Sequence, residues 1–200
     1  MEEIFEEKGI NINNVNVKLT VNKARRLVLV EDVKENIRGK LWKLLLGVFR
    51  NGPNNCIYST DTYLSLLYPH TLDNKIRNDT FRTFPTDFVF TQAVNEHSMV
   101  RILNAFANNT KQGFLLFYLS FYLYILFYSI LLIHIDPPDS PFQFSYVQGM
   151  NVLVAPFLFV MPEIDAFFAF NIFIRKCLPS YVQPSLEGVH KGVKVKLLFF

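Results

Sequence analysis

The sequence predicts an all-α protein. Apolar residues return at helical spacing along much of the chain, Gly and Pro clusters punctuate those stretches, and no alternating run stands out as a strand. Half of the 200 residues are hydrophobic and 16% are aromatic, enough to bury the core of one domain or of part of a larger one. Both values exceed those of an ordinary soluble domain, and the excess is concentrated in one segment.

Residues 1–24 form a polar lead-in, rich in Asn, Lys and Glu, expected to be loosely ordered as far as about residue 26. From Ala24 the chain turns apolar. The run Glu31-Asp32-Val33-Lys34-Glu35-Asn36 has the acidic character of a helix start, and Ile37, Leu41, Leu44, Leu45 and Val48 then recur at helical spacing. Asn51-Gly52-Pro53-Asn54 is a strong stop. A second helix is expected over 61–68, closed by Pro69. The segment 71–86 is polar and charged. A further helix covers about 96–107, with Met99, Ile102, Leu103 and Phe106 on one face. Residues 152–161 read as a buried helix despite Pro156, and 163–177 as a Phe-rich one.

The net charge of +3 is too mild to suggest nucleic acid as a partner. Cys56 and Cys177 stand far apart, and no CxxC or Cys/His spacing suggests a metal, so a reducing compartment such as the cytoplasm is the simple reading. The acidic start Met1-Glu2-Glu3-Ile4-Phe5-Glu6-Glu7 does not resemble a signal peptide.

Residues 113–135 carry no Asp, Glu, Lys or Arg. As a helix they would extend about 35 Å at ~1.5 Å per residue, enough to cross a bilayer core of roughly 30 Å. A membrane span, a buried core helix and translated non-coding sequence all account for this composition. The dominance of Phe, Tyr, Leu and Ile, which AT-rich codons favour, points to the last of these, and 193–200 has the same character.

The chemistry-bearing pattern lies in Ile76-Arg77-Asn78-Asp79-Thr80-Phe81-Arg82, which reads I-x-x-D-x-x-R. Asp79 and Arg82 are neighbours on a helical turn. Taken alone, that spacing predicts a solvated ion pair worth roughly 0–1 kcal/mol. Downstream, Tyr146-Val147-Gln148-Gly149-Met150-Asn151 supplies Y-x-Q, and upstream stands Arg38-Gly39-Lys40-Leu41-Trp42. In this order the three resemble the signature motifs of TBC-domain Rab GTPase-activating proteins, in the branch containing the fungal mitotic checkpoint activators of the spindle pole body. The resemblance covers about 25–112 and 146–193.

The resemblance implies a dual-finger mechanism. Arg82 would be the arginine finger, its planar, permanent charge offsetting charge on the transferring phosphoryl group. Gln148 would be the glutamine finger, its amide both accepting from and donating to the attacking water. Asp79 would orient Arg82 through a charge-assisted bond. Tyr146 would pack so as to fix the Gln148 loop, and Gly149 would let the backbone turn. Trp42 reads first as a core anchor and Arg38 as a residue pairing near a helix start, with contact to the partner as the rival reading for both. No G-x-x-x-x-G-K-[ST] loop occurs, so the chain has no cofactor of its own, and GTP and Mg²⁺ would belong to a Rab-like small GTPase. A scaffold at the spindle pole body is the second partner the branch implies.

The chain departs from the family in two ways. It reads as a truncated, partial Rab-GAP domain over 25–200, without the C-terminal helical part. It is also interrupted by 113–145, between Arg82 and Gln148. A single span there would hold the two fingers on opposite sides of a membrane, whereas deleting the interruption restores a family-like loop. A GTPase-binding module without catalysis and a membrane-anchored protein are the rival readings.

Overall fold

A computed structural model describes residues 15–48, 59–109, 145–182 and 188–191. Every regular element among them is helical: α1 (Val15–Val28), α2 (Glu35–Leu46), α3 (Thr60–Leu64), α4 (Asp73–Phe81), α5 (Phe88–Ala93), α6 (96–109), α7 (Met150–Val160) and α8 (Glu163–Cys177). A 3₁₀ turn (Pro179–Tyr181) and a helical turn at 188–191 follow. The all-α expectation holds. The segment 113–135, the breaker cluster at 51–54, Cys56 and 193–200 lie outside the described residues.

Helix α8 is central. Ala166, Phe167, Phe168, Ala169, Phe170, Ile172 and Ile174 are all buried, so the helix is apolar on nearly every face. It packs against α2, α3 and α7. Phe170 meets Phe106 of α6 edge-on at 5.3 Å, Phe167 lies 4.8 Å from Tyr63 of α3, and Phe157 of α7 bridges to Trp42 of α2 at 5.3 Å. Trp42 therefore packs on the core as an anchor, half-buried. Arg38 donates to the Val33 carbonyl at 3.3 Å and closes the turn that enters α2.

The first turn of α8 holds the surrounding helices by charge. Glu163 receives the Tyr63 hydroxyl at 2.6 Å and a two-pronged bond from the Arg101 guanidinium at 2.6 and 2.7 Å. Asp165 receives Lys43 of α2 at 2.8 Å. Carboxylates suit this end of a helix, as Arg175 and Lys176 suit the other. Burial alone would raise the Glu163 pKa, but the bonds from Arg101, Tyr63 and Ser98 outweigh it and hold the carboxyl below its ordinary value. Burial, then the bond to Glu163 and its charge, push the Tyr63 hydroxyl up, against a smaller lowering by Arg101.

The lead-in differs from its expectation. Residues from Val15 onward are helical rather than loosely ordered, because one narrow stripe finds a partner: Ala24 is fully buried on Leu41 and Leu44 of α2, with Val21 and Leu27 alongside. Helix α2 stops at Gly47, ahead of the breaker cluster. Gly47 adopts φ 75° and Val48 donates back to the Lys43 carbonyl at 2.8 Å, satisfying the helix end. The second helix is shorter than its apolar pattern suggested. Beyond Leu64 the Leu66 and Tyr68 carbonyls are taken by the buried amide of Asn108, at 3.0 and 2.7 Å, which holds the chain in turns. Pro156 sits inside α7, where the carbonyl that loses its donor belongs to exposed Val152.

Gly39 sits where α2 crosses the end of α7. A Cβ at this position would overlap the Val160 carbonyl, a backbone atom that cannot rotate away. Gly39→Ala is therefore expected to destabilise the protein by about 1–3 kcal/mol in urea denaturation. A variant as stable as the parent would show that the two helices can part at no cost. A second expectation concerns pH. A carboxyl with a lowered folded-state pKa stabilises above its ordinary value, here 4.5, and that contribution is lost as pH falls through the folded value. Asp73 adds to the same trend, because bonds from Arg77 and Asn104 outweigh its burial. The urea midpoint is expected to drop steadily below about pH 5, and less steeply for Glu163→Gln. Equal slopes in the two proteins would remove Glu163 as a source.

Candidate functional site

Helix α4 has little apolar surface, and Ile76 is its fully buried anchor. Its other inward positions are polar, Asp79 and Thr80, and must be satisfied where they lie. Thr80 bonds back to the Ile76 carbonyl at 2.7 Å. The Asp79 carboxylate accepts from the Tyr146 hydroxyl at 2.8 Å. Its backbone carbonyl accepts three donors: the Arg82 N–H at 3.2 Å, the Thr83 hydroxyl at 3.1 Å and the Asn151 amide at 3.0 Å. One residue is thus the node at which two distant segments join.

The sequence reading paired Asp79 with Arg82. The structure corrects this, since no Asp79–Arg82 ion pair occurs among the described residues. Arg82 caps α4, where φ −90° and ψ 1° take the chain out of the helix, so the facing of residues three apart is lost. Asp79 points inward, 9% exposed, while Arg82 points to solvent. Asp79 acts on the Arg82 turn through its own backbone and through Tyr146.

The second segment is built around Gly149. It precedes α7 with φ 99°, a conformation that glycine adopts without strain. Its N–H donates to the Asn151 side-chain oxygen at 3.2 Å. Gln148 is exposed, between buried Tyr146 and this fixed glycine. Burial, then the bond to Asp79 and its charge, push the Tyr146 hydroxyl well above its ordinary value, so it stays a donor throughout the ordinary pH range. The same Asn151 amide group reaches Thr83 at 2.8 Å, just beyond Arg82.

Asn151 and Thr83 are the site residues that sequence reasoning did not single out. The available signal was an amide at the head of an otherwise apolar helix, where a buried polar group needs fixed partners. Phe84, two residues beyond Arg82, has φ 46°, a conformation that costs an aromatic residue about 1–3 kcal/mol. Its ring rests edge-on against Phe90 at 5.2 Å. Beside this turn a cleft of about 580 Å³ is lined by Thr80, Phe81, Thr83, Phe90, Asn95 and Met99, among others. Exposed Phe81, Phe84, Phe88 and Val89 give the neighbourhood an apolar surface. No group of His, Cys, Asp or Glu side chains suited to a metal ion occurs among the described residues.

These features define an all-helical scaffold that displays a guanidinium and an amide from two turns joined at one buried aspartate. The chain belongs to the Rab-GTPase-TBC domain family, whose model matches residues 35–198. Three relatives agree. A putative mitotic check point protein BUB2 of Dictyostelium discoideum is 32% identical over 81% of this chain. Cell division control protein 16 of Schizosaccharomyces pombe is 28% identical over 88%. Mitotic check point protein BUB2 of Saccharomyces cerevisiae is 35% identical over 68%. The matches span 34%, 48% and 40% of those relatives respectively, so the chain corresponds to about a third to a half of their length.

Tyr146→Phe removes only the hydroxyl that satisfies the buried carboxylate. It is expected to cost about 1–3 kcal/mol in chemical denaturation with helix content retained. Unchanged stability would mean that Asp79 finds another donor without help from the Tyr146 segment.

Proposed function

We propose that this chain carries the catalytic fingers of a GTPase-activating protein for a Rab-like small GTPase, in control of mitotic exit or septation. The observation that carries the reading is the contrast within the site. Arg82 and Gln148 are exposed, while Asp79, Tyr146, Thr83 and Asn151 beneath them are buried and hydrogen-bonded. A scaffold that spends its buried polar groups on two short turns, and leaves their long polar side chains in solvent, is suited to inserting those side chains into another molecule. Family membership and the names of the relatives support this partner class and setting.

In this reading GTP and Mg²⁺ sit on the partner. Arg82 reaches the transferring phosphoryl group and offsets its developing charge, and Gln148 orients the attacking water. The exposed Phe81, Phe84, Phe88 and Val89 give the GTPase an apolar landing beside the guanidinium. The reading extends to a scaffold partner at the spindle pole body and a cytoplasmic location, proposals in keeping with the mitotic check point for which two of the relatives are named. No helix among the described residues is long and apolar enough to cross a membrane. The rival reading is a module that binds the GTPase without accelerating hydrolysis.

The test is single-turnover hydrolysis by a panel of GTP-loaded Rab-type GTPases. Wild type is expected to accelerate at least one of them. Arg82→Ala should remove about 10³-fold or more of that acceleration, and Gln148→Ala about 10²–10³-fold. Arg82→Lys should recover little, because it keeps the charge and loses the fork. Equal rates for wild type and the alanine variants, with binding retained, would replace catalysis by the binding-module reading.

A further inference from the structure

We infer that Asn151 is the positioning residue that sets the Arg82 turn and the Gln148 turn relative to one another. The inference rests on the dual-finger reading above. Asn151 is buried at the head of α7, and each of its polar atoms is committed to one of the two turns. Its nitrogen donates to the Asp79 carbonyl at 3.0 Å and the Thr83 hydroxyl at 2.8 Å, which bracket Arg82 in sequence. Its oxygen accepts the Gly149 N–H at 3.2 Å, adjacent to Gln148. No other side chain described at the site bonds to the backbone of both turns. Tyr146 holds the Asp79 carboxylate from the Gln148 side, but at a side chain, so it does not itself tie the Arg82 turn's backbone to the second turn.

The chemistry favours a planar amide here. The position needs two donors on one side and an acceptor on the other, fixed by one rigid group. Aspartate would turn a lone pair toward the Asp79 carbonyl, and leucine would leave the Gly149 N–H without its acceptor and cut the link from the Asp79 carbonyl and the Thr83 hydroxyl to the second turn. Two fingers acting on one transition state tolerate little displacement, and a shift of about 1 Å in such a constellation costs on the order of 10²-fold in rate.

The experiment measures Asn151→Ala in two ways. The first is amide hydrogen exchange. Residues 79–84 and 146–151 are expected to exchange faster together, while the α8 core keeps its protection. The second is single-turnover hydrolysis by the panel member that wild type stimulates most. The saturating rate should fall about 10–10²-fold with half-saturation little changed. The loss should largely vanish in an Arg82→Ala background, because a misplaced finger cannot be lost twice. Thr83→Val, nearly isosteric, removes one arm alone and should give a smaller effect of the same kind, so the inference stays testable if Asn151→Ala folds poorly. Faster exchange in only one of the two stretches, or a rate loss that multiplies with that of Arg82→Ala, would overturn it. Coupled exchange in a protein that stimulates no GTPase would leave the brace standing and sink the proposed function instead.

Discussion

The bond between the Tyr146 hydroxyl and the Asp79 carboxylate is the constraint on which the candidate site depends. It joins residues 67 apart in sequence and lies fully inside the protein. A carboxylate placed there without a donor would be costly, so bringing the second segment against the first offsets the burial of Asp79. Once that contact is made, the Asp79 carbonyl is positioned to collect the donors that define the Arg82 turn. The geometry of the exposed side chains at the site therefore depends on one burial.

The same device recurs elsewhere in the protein. Asn104 of α6 accepts the His70 N–H at 2.8 Å and donates to the Asp73 carboxylate at 2.7 Å, fixing the entrance to α4. Asn108 holds the turns that follow α3. Asn151 does so for the turns beside Arg82 and Gln148. In each case an amide on a buried helix face supplies the hydrogen bonds that an irregular segment cannot make with itself. The helices α6, α7 and α8 provide hydrophobic burial, and their few internal polar residues dictate the path of the loops. The charged first turn of α8 adds a second level of order, since Glu163 and Asp165, two residues apart, reach α2, α3 and α6 between them.

What could be read from the sequence follows from how each element is stabilised. Helices α6, α7 and α8 were legible nearly to their ends, because burial drives them and leaves long apolar patterns. Helix α1 was not, since its contact is a stripe of small and medium side chains in polar surroundings and exists only against α2. Helix α3 read too long because Leu66 and Leu67 continue its apolar pattern while an amide from a distant helix ends it. At the site, the motifs marked two turns that the structure brings together, but the spacing of Asp79 and Arg82 suggested a pairing that the helix end forbids. Asn151 carried no periodic signal and became visible only through its partners.

The distance along the chain between Asp79 and Tyr146 also has a meaning in time. A ribosome adds about 5–20 residues per second, so roughly 3–13 seconds separate the emergence of the acceptor from that of its donor. During that interval Ile76 and the α6 face have neither α7 nor α8 to cover them, and the aspartate that will organise the site remains open to water. Synthesis order thus delays burial of the carboxylate until its donor has been made.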